Sequence, residues 1–294
     1  MKPKQFLFLL PAFFISLVSA EECSITNLGS CLVQKFFEVL LGILNSPIQP
    51  FLDLVYYLLT KPVNIDIFSG VWGVIIYILS MFYGLLLLYA GFRFLFSGYS
   101  FEQREKAKRT LANIIIMMVL VQASFYIYSL IIELTSSVTT VIFNMVQKDF
   151  FLLTIDNVTN VGLELALVMP YLLSILITLI ILVLRYMIVS MGVVLFAIGI
   201  FFYFFEPLNN YGKLIINFLF STIVITFFYA IIFLASSKLL EVGVFENFKI
   251  LVMIGAFTFV NVTTILIALF VIIKSALKVS GPVMKVISLV QAAA

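Results

Sequence analysis

The chain consists of long apolar runs separated by short polar segments. One run, Val71–Phe96, is interrupted near its end by Arg93, and the next, Thr110–Ile132, contains no Asp, Glu, Lys or Arg. A helix needs about 20 residues, at about 1.5 Å each, to cross the hydrocarbon of a bilayer. Because the runs do not alternate between apolar and polar positions, they predict membrane-spanning helices rather than strands of a membrane barrel.

Three more apolar stretches follow, and one of them is ambiguous. Leu214–Ser236 and Ile250–Ile273 each have the length of one span, whereas Val161–Phe205 has Glu164 and Arg185 as its charged residues and runs for about 45 residues. That length suits one very long helix or two shorter ones, with a kink expected at Pro170. The chain therefore has five predicted spans, or six if this stretch crosses twice.

The densest cluster of charge lies between the first two spans. Its bases are Arg104, Lys106, Lys108 and Arg109. Because Lys and Arg are retained in the cytoplasm, this turn predicts the orientation of both spans. Five spans also place the bases of the tail inside, so we expect an outside amino terminus and a cytoplasmic carboxyl terminus. Anionic headgroups, a cytoplasmic partner or the phosphates of a passing strand are three alternatives for what the turn contacts.

The first 69 residues predict two further units. Residues 1–20 have the basic start, apolar centre and small residues at the end that are typical of a secretory signal peptide, with an uncleaved anchor as the alternative. Residues 21–69 form an extracytoplasmic or interfacial helical region, and residues 70–294 form the membrane domain. Cys23 and Cys31 would then meet an oxidising compartment, where a disulfide is expected and two free thiols are the alternative.

Two apolar segments of the 21–69 region are too short to span. Leu32–Leu44 and Ile48–Leu59 are separated by Ser46 and Pro47, and Pro50 follows. They predict helices that lie in the outer membrane surface, or alternatively a cap packed on the spans.

Composition supports the same fold class. The 294 residues are 64% hydrophobic and 11% charged, with a mean hydropathy of +1.23 and a formal net charge of +3. One soluble core could not hide so much apolar surface, so lipid is the main partner and the prediction is an all-α, polytopic transmembrane bundle. The small net charge argues against an extended nucleic-acid footprint.

The residue inventory predicts no enzyme, no cofactor and no metal. The chain has no His, which removes His-based general bases, Ser-His or Cys-His pairs and H-E-x-x-H zinc sites. Neither a phosphate-binding P-loop motif nor a dinucleotide motif occurs. Any energy for transport would come from a gradient or from another subunit.

A few polar residues within or beside the spans are candidate functional groups. Charges near predicted span ends either snorkel to the interface or serve a function; they are Arg93, Glu133, Glu164 and Arg185. Three side-chain amides lie deeper in the predicted spans: Gln122, Asn217 and Asn261. They either form hydrogen bonds between helices or line a water-filled path, and the hydrogen bonds are the favoured interpretation.

Two segments and the topology resemble a known family. The segments are Glu102–Arg109 with the following Leu111-Ala112-Asn113, and Phe202–Lys213. Together with the predicted signal peptide and about five spans, they are similar to the polytopic inner-membrane subunit of type IV secretion and conjugation systems, including its archaeal DNA-import relatives. The resemblance implies a multi-pass protein of the cell membrane that lines or scaffolds a passage, without catalytic residues.

Partners and competing functions follow from that resemblance. It implies other subunits of a membrane complex, including cytoplasmic ATPases, and nucleic acid only as a transported substrate; a homo-oligomer is a further expectation. A small-molecule transporter or channel is the second hypothesis, and a structural membrane scaffold is the third. An intramembrane enzyme comes last because the supply of acids, bases and nucleophiles is small.

Overall fold

The computed structural model describes residues 28–96, 101–153, 158–246 and 248–293, and within these ranges the protein is all-α. Its helices are α1 Leu28–Thr60, α2 Ser69–Phe96, α3 Phe101–Phe143, α4 Val158–Phe204, α5 Asn209–Leu239, α6 Gly243–Glu246 and α7 Lys249–Ala293. Short 3-10 turns occupy Asp66–Phe68, Lys148–Phe151 and Glu206–Leu208. Among the described residues, five helices are long and apolar enough to cross a membrane: α2, α3, α4, α5 and α7. The chain is a multi-pass membrane protein.

Helix α4 decides between five and six spans. It is continuous for 47 residues, through both Pro170 and Arg185. The ambiguous stretch therefore forms one helix, and it does not cross the membrane twice. A helix of this length extends for about 70 Å, more than twice the roughly 30 Å of a bilayer's hydrocarbon. An ordinary tilt of about 20° changes this little, so α4 projects well beyond the lipid.

Buried side chains form two cores at different heights along the same helices. The α2 core combines the middle of α3 with the last third of α4 and the first half of α5, around Met117, Tyr128 and Val193, and α2 packs against it. The α1 core combines the end of α3 with the first half of α4 and with α5 and α7, around Tyr171 and Phe233, and α1 packs against it. Tyr186 on α4 packs against both cores.

The segment before the first span differs from the predicted pair of short interfacial helices. Helix α1 is a single helix of 33 residues that contains Pro47 and Pro50. Interior prolines cost about 3 kcal/mol each because they remove a hydrogen bond and crowd the preceding turn. Here Ile48 is completely buried in the α1 core, and the Asn45 amide makes two hydrogen bonds with the Leu153 backbone, of 2.9 and 3.1 Å. Tertiary packing therefore holds the helix together and places it against the spans.

Glycines show where helices approach each other closely. A Cβ on Gly212 of α5 would lie 2.7 Å from the Gly199 carbonyl oxygen of α4 and against the Tyr203 backbone. By contrast, Gly84 and Gly91 of α2, which share a face in the sequence, have no neighbouring atom within 4 Å of such a Cβ. Close helix contact is therefore made by α4 and α5, and the glycine face of α2 is open.

Some predicted features lie outside the described residues. They are the signal peptide 1–20, Cys23 and the side chains of Cys31 and Glu164. The predicted disulfide and the role of Glu164 therefore stay predictions.

Candidate functional site

A buried arginine lies where the two cores meet. Arg185 is near the middle of α4 and is 9% exposed. Its guanidinium donates to three backbone carbonyls: Nε to Thr222 at 3.0 Å, Nη1 to Leu58 at 3.4 Å and Nη2 to Ile223 at 3.5 Å. Two of these carbonyls belong to α5 and one to the last turn of α1. One side chain thus connects α4 to two other helices.

The contact with α1 has a clear physical reason. The last four carbonyls of a helix have no partner within it, and together they carry a partial negative charge. In α1 the Tyr57 carbonyl accepts the Lys61 amide at 3.0 Å, and the Leu58 carbonyl accepts Arg185. The Thr60 carbonyl accepts the hydroxyls of Ser136 and Thr140 on α3. The end of α1 is therefore bound by groups from two spans.

We call Arg185, Ser136, Thr140 and Tyr186 the α1 clasp. Tyr186 belongs to it because its hydroxyl accepts the Asn64 amide, 3.1 Å away, just beyond the end of α1. None of the ion pairs found among the described residues involves Arg185. Its charge is instead compensated by carbonyl dipoles and by the negative end of α1.

The position of Arg185 corrects its interpretation as a span-end charge. A long side chain near a span end reaches the interface at little cost, but this guanidinium points into the bundle and is buried between helices. A buried cation is expensive unless hydrogen bonds compensate it. Arg185 therefore has a structural role in joining α1, α4 and α5.

Three buried tyrosines make further contacts between elements of the bundle. The Tyr128 hydroxyl of α3 donates to the Val189 carbonyl of α4 at 2.8 Å, and the Tyr171 hydroxyl of α4 donates to the Phe151 carbonyl at 2.7 Å. Tyr128 packs so closely that a Cβ on Gly192 would collide with its hydroxyl. Tyr229 of α5 hydrogen bonds with Thr264 of α7. Tyr128 thus joins α3 to α4 beside the clasp, and the other two contacts join elements within the α1 core.

The basic segment lies at the far end of the α2 core and is helical from Phe101 onward. Two ion pairs span one helical turn each, Glu102 with Lys106 at 2.7 Å and Glu105 with Arg109 at 2.6 Å, and both are exposed. Such surface pairs contribute about 0.2 to 1 kcal/mol each. The predicted turn is therefore the exposed, charged start of α3.

Arg93 connects this end of the bundle to the turn after α4. It donates to the Thr110 hydroxyl at 3.2 Å and lies 3.7 Å from the Glu206 carboxylate. The turn Glu206–Leu208 and the start of α3 therefore lie at the same end of the bundle, as a single crossing by α4 requires.

The remaining candidates divide by burial. Asn261 of α7 is buried and accepts the Thr178 hydroxyl of α4 at 3.0 Å, so it bonds between helices. Asn217 is exposed between α5 and α7, and Gln122 is exposed beside the Tyr83 side chain. Glu133 is exposed and accepts the Ser129 hydroxyl of its own helix at 2.9 Å. The structure thus brings Asn261 into an interhelical contact, and leaves Asn217 and Glu133 on the surface.

Sequence reasoning did not identify Ser136, Thr140 and Tyr186 as a site. The run of Ser and Thr from Thr135 to Thr140 is visible in the sequence, but such a polar run after an apolar one indicates only where a span ends. Nothing in the sequence pairs these hydroxyls with α1, because the contact joins residues 76 positions apart.

Comparisons with known proteins found no relative of this chain. No family model matches the chain, and neither a curated protein nor a solved structure is detectably similar to it.

Proposed function

We propose that this protein is a non-enzymatic subunit of a translocation machine in the cell membrane, where it lines or scaffolds the passage for DNA or protein. The machine in this proposal is of the type IV secretion and conjugation kind, with cytoplasmic ATPases as motors. Nucleic acid enters the proposal only as cargo. The sequence resemblance of two segments motivates it.

One structural observation supports this proposal more than any other. The two segments that carry the resemblance, at the start of α3 and at the end of α4, lie at the same end of the bundle, because Arg93 contacts both Thr110 and Glu206. They are far apart in sequence, yet a single partner could touch both. Four exposed bases surround this end, as a docking surface for an acidic cytoplasmic protein would require.

Co-purification tests the proposal directly. The tagged full-length chain, extracted gently from its own cells, is expected to retain a cytoplasmic ATPase. The double variant Arg104→Gln/Lys108→Gln should lose most of it, because these two bases lie outside the two ion pairs that stabilise the start of α3. Lys238→Gln, which removes a base at the opposite end of the bundle together with its ion pair to Glu241, is the control for a general loss of surface charge. Recovery of unrelated membrane proteins alone would count against the proposal.

A reporter fusion tests the orientation on which this proposal depends. A reporter active only in the cytosol, inserted at Tyr99, should be active, and its export-dependent counterpart should be silent. The opposite pattern would place the basic end outside and remove the proposed contact with cytoplasmic motors.

A small-molecule transporter or channel is the second candidate. Purified protein in liposomes, without any partner, would then catalyse uptake. Several buried hydroxyls donate to carbonyls of their own helix, such as Thr178 to Ser174 at 2.8 Å and Thr226 to Ile223 at 3.2 Å. These groups have partners without water, so they do not favour a water-filled path, and the transporter stays second. The third candidate, a scaffold with no conduit, predicts that transfer fails only when assembly fails.

A further inference from the structure

Between α2, α3 and the end of α4, near the basic end, the bundle contains a cavity of about 690 Å³. Its walls include Leu79 to Tyr89 of α2, Thr110 to Met117 of α3 and the aromatic end of α4. The lining is apolar except for Thr110, Asn113, Glu206 and the Tyr89 hydroxyl. Phe82 and Leu85 line the cavity and are 47% and 65% exposed, so it opens onto the outer surface of a spanning helix.

The dimensions fit one leaflet of a membrane. The stretch from Leu79 to Tyr89 rises by about 15 Å, which is half of a hydrocarbon thickness of about 30 Å. The polar lining groups come from the start of α3, the turn after α4 and Tyr89 in the last two turns of α2, all towards the charged end. An occupant must therefore be apolar over about the depth of one leaflet and polar at the end near Arg93.

The charges at that end favour a negatively charged occupant. Lys106 precedes Thr110 by four residues and Arg109 precedes Asn113 by four, so both bases lie on the cavity-lining face of α3, one turn closer to its start. Arg93 adds a third cation, and it lies 3.7 Å from Glu206, the acidic lining residue. Lys106 and Arg109 are each paired with a carboxylate, but these pairs are exposed and weak. Arg104 and Lys108 leave this end with a net positive charge, so a phosphate can compete for Lys106 and Arg109.

We propose that this cavity binds one anionic phospholipid, with an acyl chain between α2 and α4 and the phosphate among Arg93, Lys106 and Arg109. Each base near an anionic lipid surface contributes about 1 kcal/mol, or roughly a fivefold change in affinity. The lipid fills a space that α2 leaves open and connects α2 to the end of α4. Ordered lipid at this position makes the basic end a rigid surface.

Native mass spectrometry of the full-length protein tests this proposal. After removal of endogenous lipid in detergent, dioleoyl phosphatidylglycerol should be retained much better than dioleoyl phosphatidylcholine, which has the same chains. Lys106→Gln/Arg109→Gln should reduce the retention of phosphatidylglycerol by roughly 25-fold, from about fivefold for each base. Equal retention of the two lipids by the unmodified protein would overturn the proposal.

A second pair of variants tests the cavity itself. Leu86→Trp fills it, because Leu86 is half-buried and lines it, whereas the neighbouring Leu87→Trp changes a position that is 39% exposed and outside the lining. We expect retention to fall for Leu86→Trp and to stay unchanged for Leu87→Trp. Equal retention by both variants would show only general contact with lipid and would overturn the proposal. If Leu86→Trp does not accumulate, the exposed double variant Lys106→Gln/Arg109→Gln decides the question alone.

Discussion

The two cores of this bundle share α3, α4 and α5, but α1 and α2 are attached to them differently. On the α2 core, three side chains of α2 are buried, Ile76, Leu79 and Ala90, and most of the helix is exposed. Its polar attachments are few; the Trp72 indole donates to Ser124 at 2.9 Å, and Arg93 donates to Thr110. On the α1 core, by contrast, polar groups from α3 and α4 bind the end of α1.

The difference reflects how deeply each helix is buried. A spanning helix such as α2 has no hydrophobic incentive to leave lipid, so shallow packing and a few hydrogen bonds are enough to hold it. The last turn of helix α1, by contrast, is buried against other helices, with Leu58, Leu59 and Thr60 each at most 6% exposed. Since buried carbonyls must find partners, the α1 clasp is needed where α1 meets the bundle. Buried side chains such as Ile48 and Val55 and the polar contacts of the clasp together determine where α1 lies.

The largest effect is expected from the close approach of α4 and α5, which both cores share. Gly212→Ala should destabilise the protein by about 3 kcal/mol or prevent its accumulation, because the new Cβ meets backbone atoms that cannot move aside. The measurement is thermal unfolding in detergent, followed by intrinsic fluorescence. Gly84→Ala, on the open face of α2, is the control and should leave the melting temperature unchanged. Similar melting temperatures for both variants would mean that α4 and α5 are not packed this closely.

The next effect separates the two cores. Arg185→Met should cost about 2 kcal/mol, since hydrogen bonds to a charged group contribute about 1.5 to 3 kcal/mol and the carbonyl of Leu58 is left without its partner. Hydrogen exchange should then increase in residues 55–65 and stay unchanged in α2. Arg185→Lys should recover only part of the protection, because an ammonium cannot reproduce the fork of the guanidinium.

Two results would contradict the clasp. One is full protection of residues 55–65 in Arg185→Met, which would show that α1 is held by apolar packing alone. The other is an equal increase of exchange in α2, which would show that the two cores unfold as one unit.

The smallest effect is expected within the α1 core itself. Asn261→Leu should cost about 0.6 kcal/mol, the average for a hydrogen bond between membrane helices, because the Thr178 hydroxyl keeps its bond to Ser174. Asn217→Leu, on the exposed surface, should cost nothing measurable. The difference in melting temperature between these two variants checks the prediction. A larger loss of stability for Asn217→Leu than for Asn261→Leu would contradict the prediction, because it would show that Asn217 makes the more important interhelical contact.

Much of the architecture can be predicted from apolar length alone. The runs around Val71–Phe96 and Thr110–Ile132 correspond to α2 and to the spanning part of α3, and the start of α3 carries the ion pairs that its i, i+4 spacing predicts. The prolines did not show where helices end, because α1 continues through Pro47 and Pro50 and α4 continues through Pro170. Local propensity predicts a break at such positions, and packing against other helices outweighs it.

What the amino-acid sequence determined by itself is the class of the protein: long apolar runs without internal charge are stable only as helices in lipid, because every backbone polar group must be satisfied within its own segment. Only the tertiary structure decided the role of Arg185. In sequence it is a base between two apolar runs, of the kind that reaches a membrane surface. In the folded chain, the carbonyl end of α1 and two carbonyls of α5 surround it, and a cation bound by buried dipoles no longer needs water.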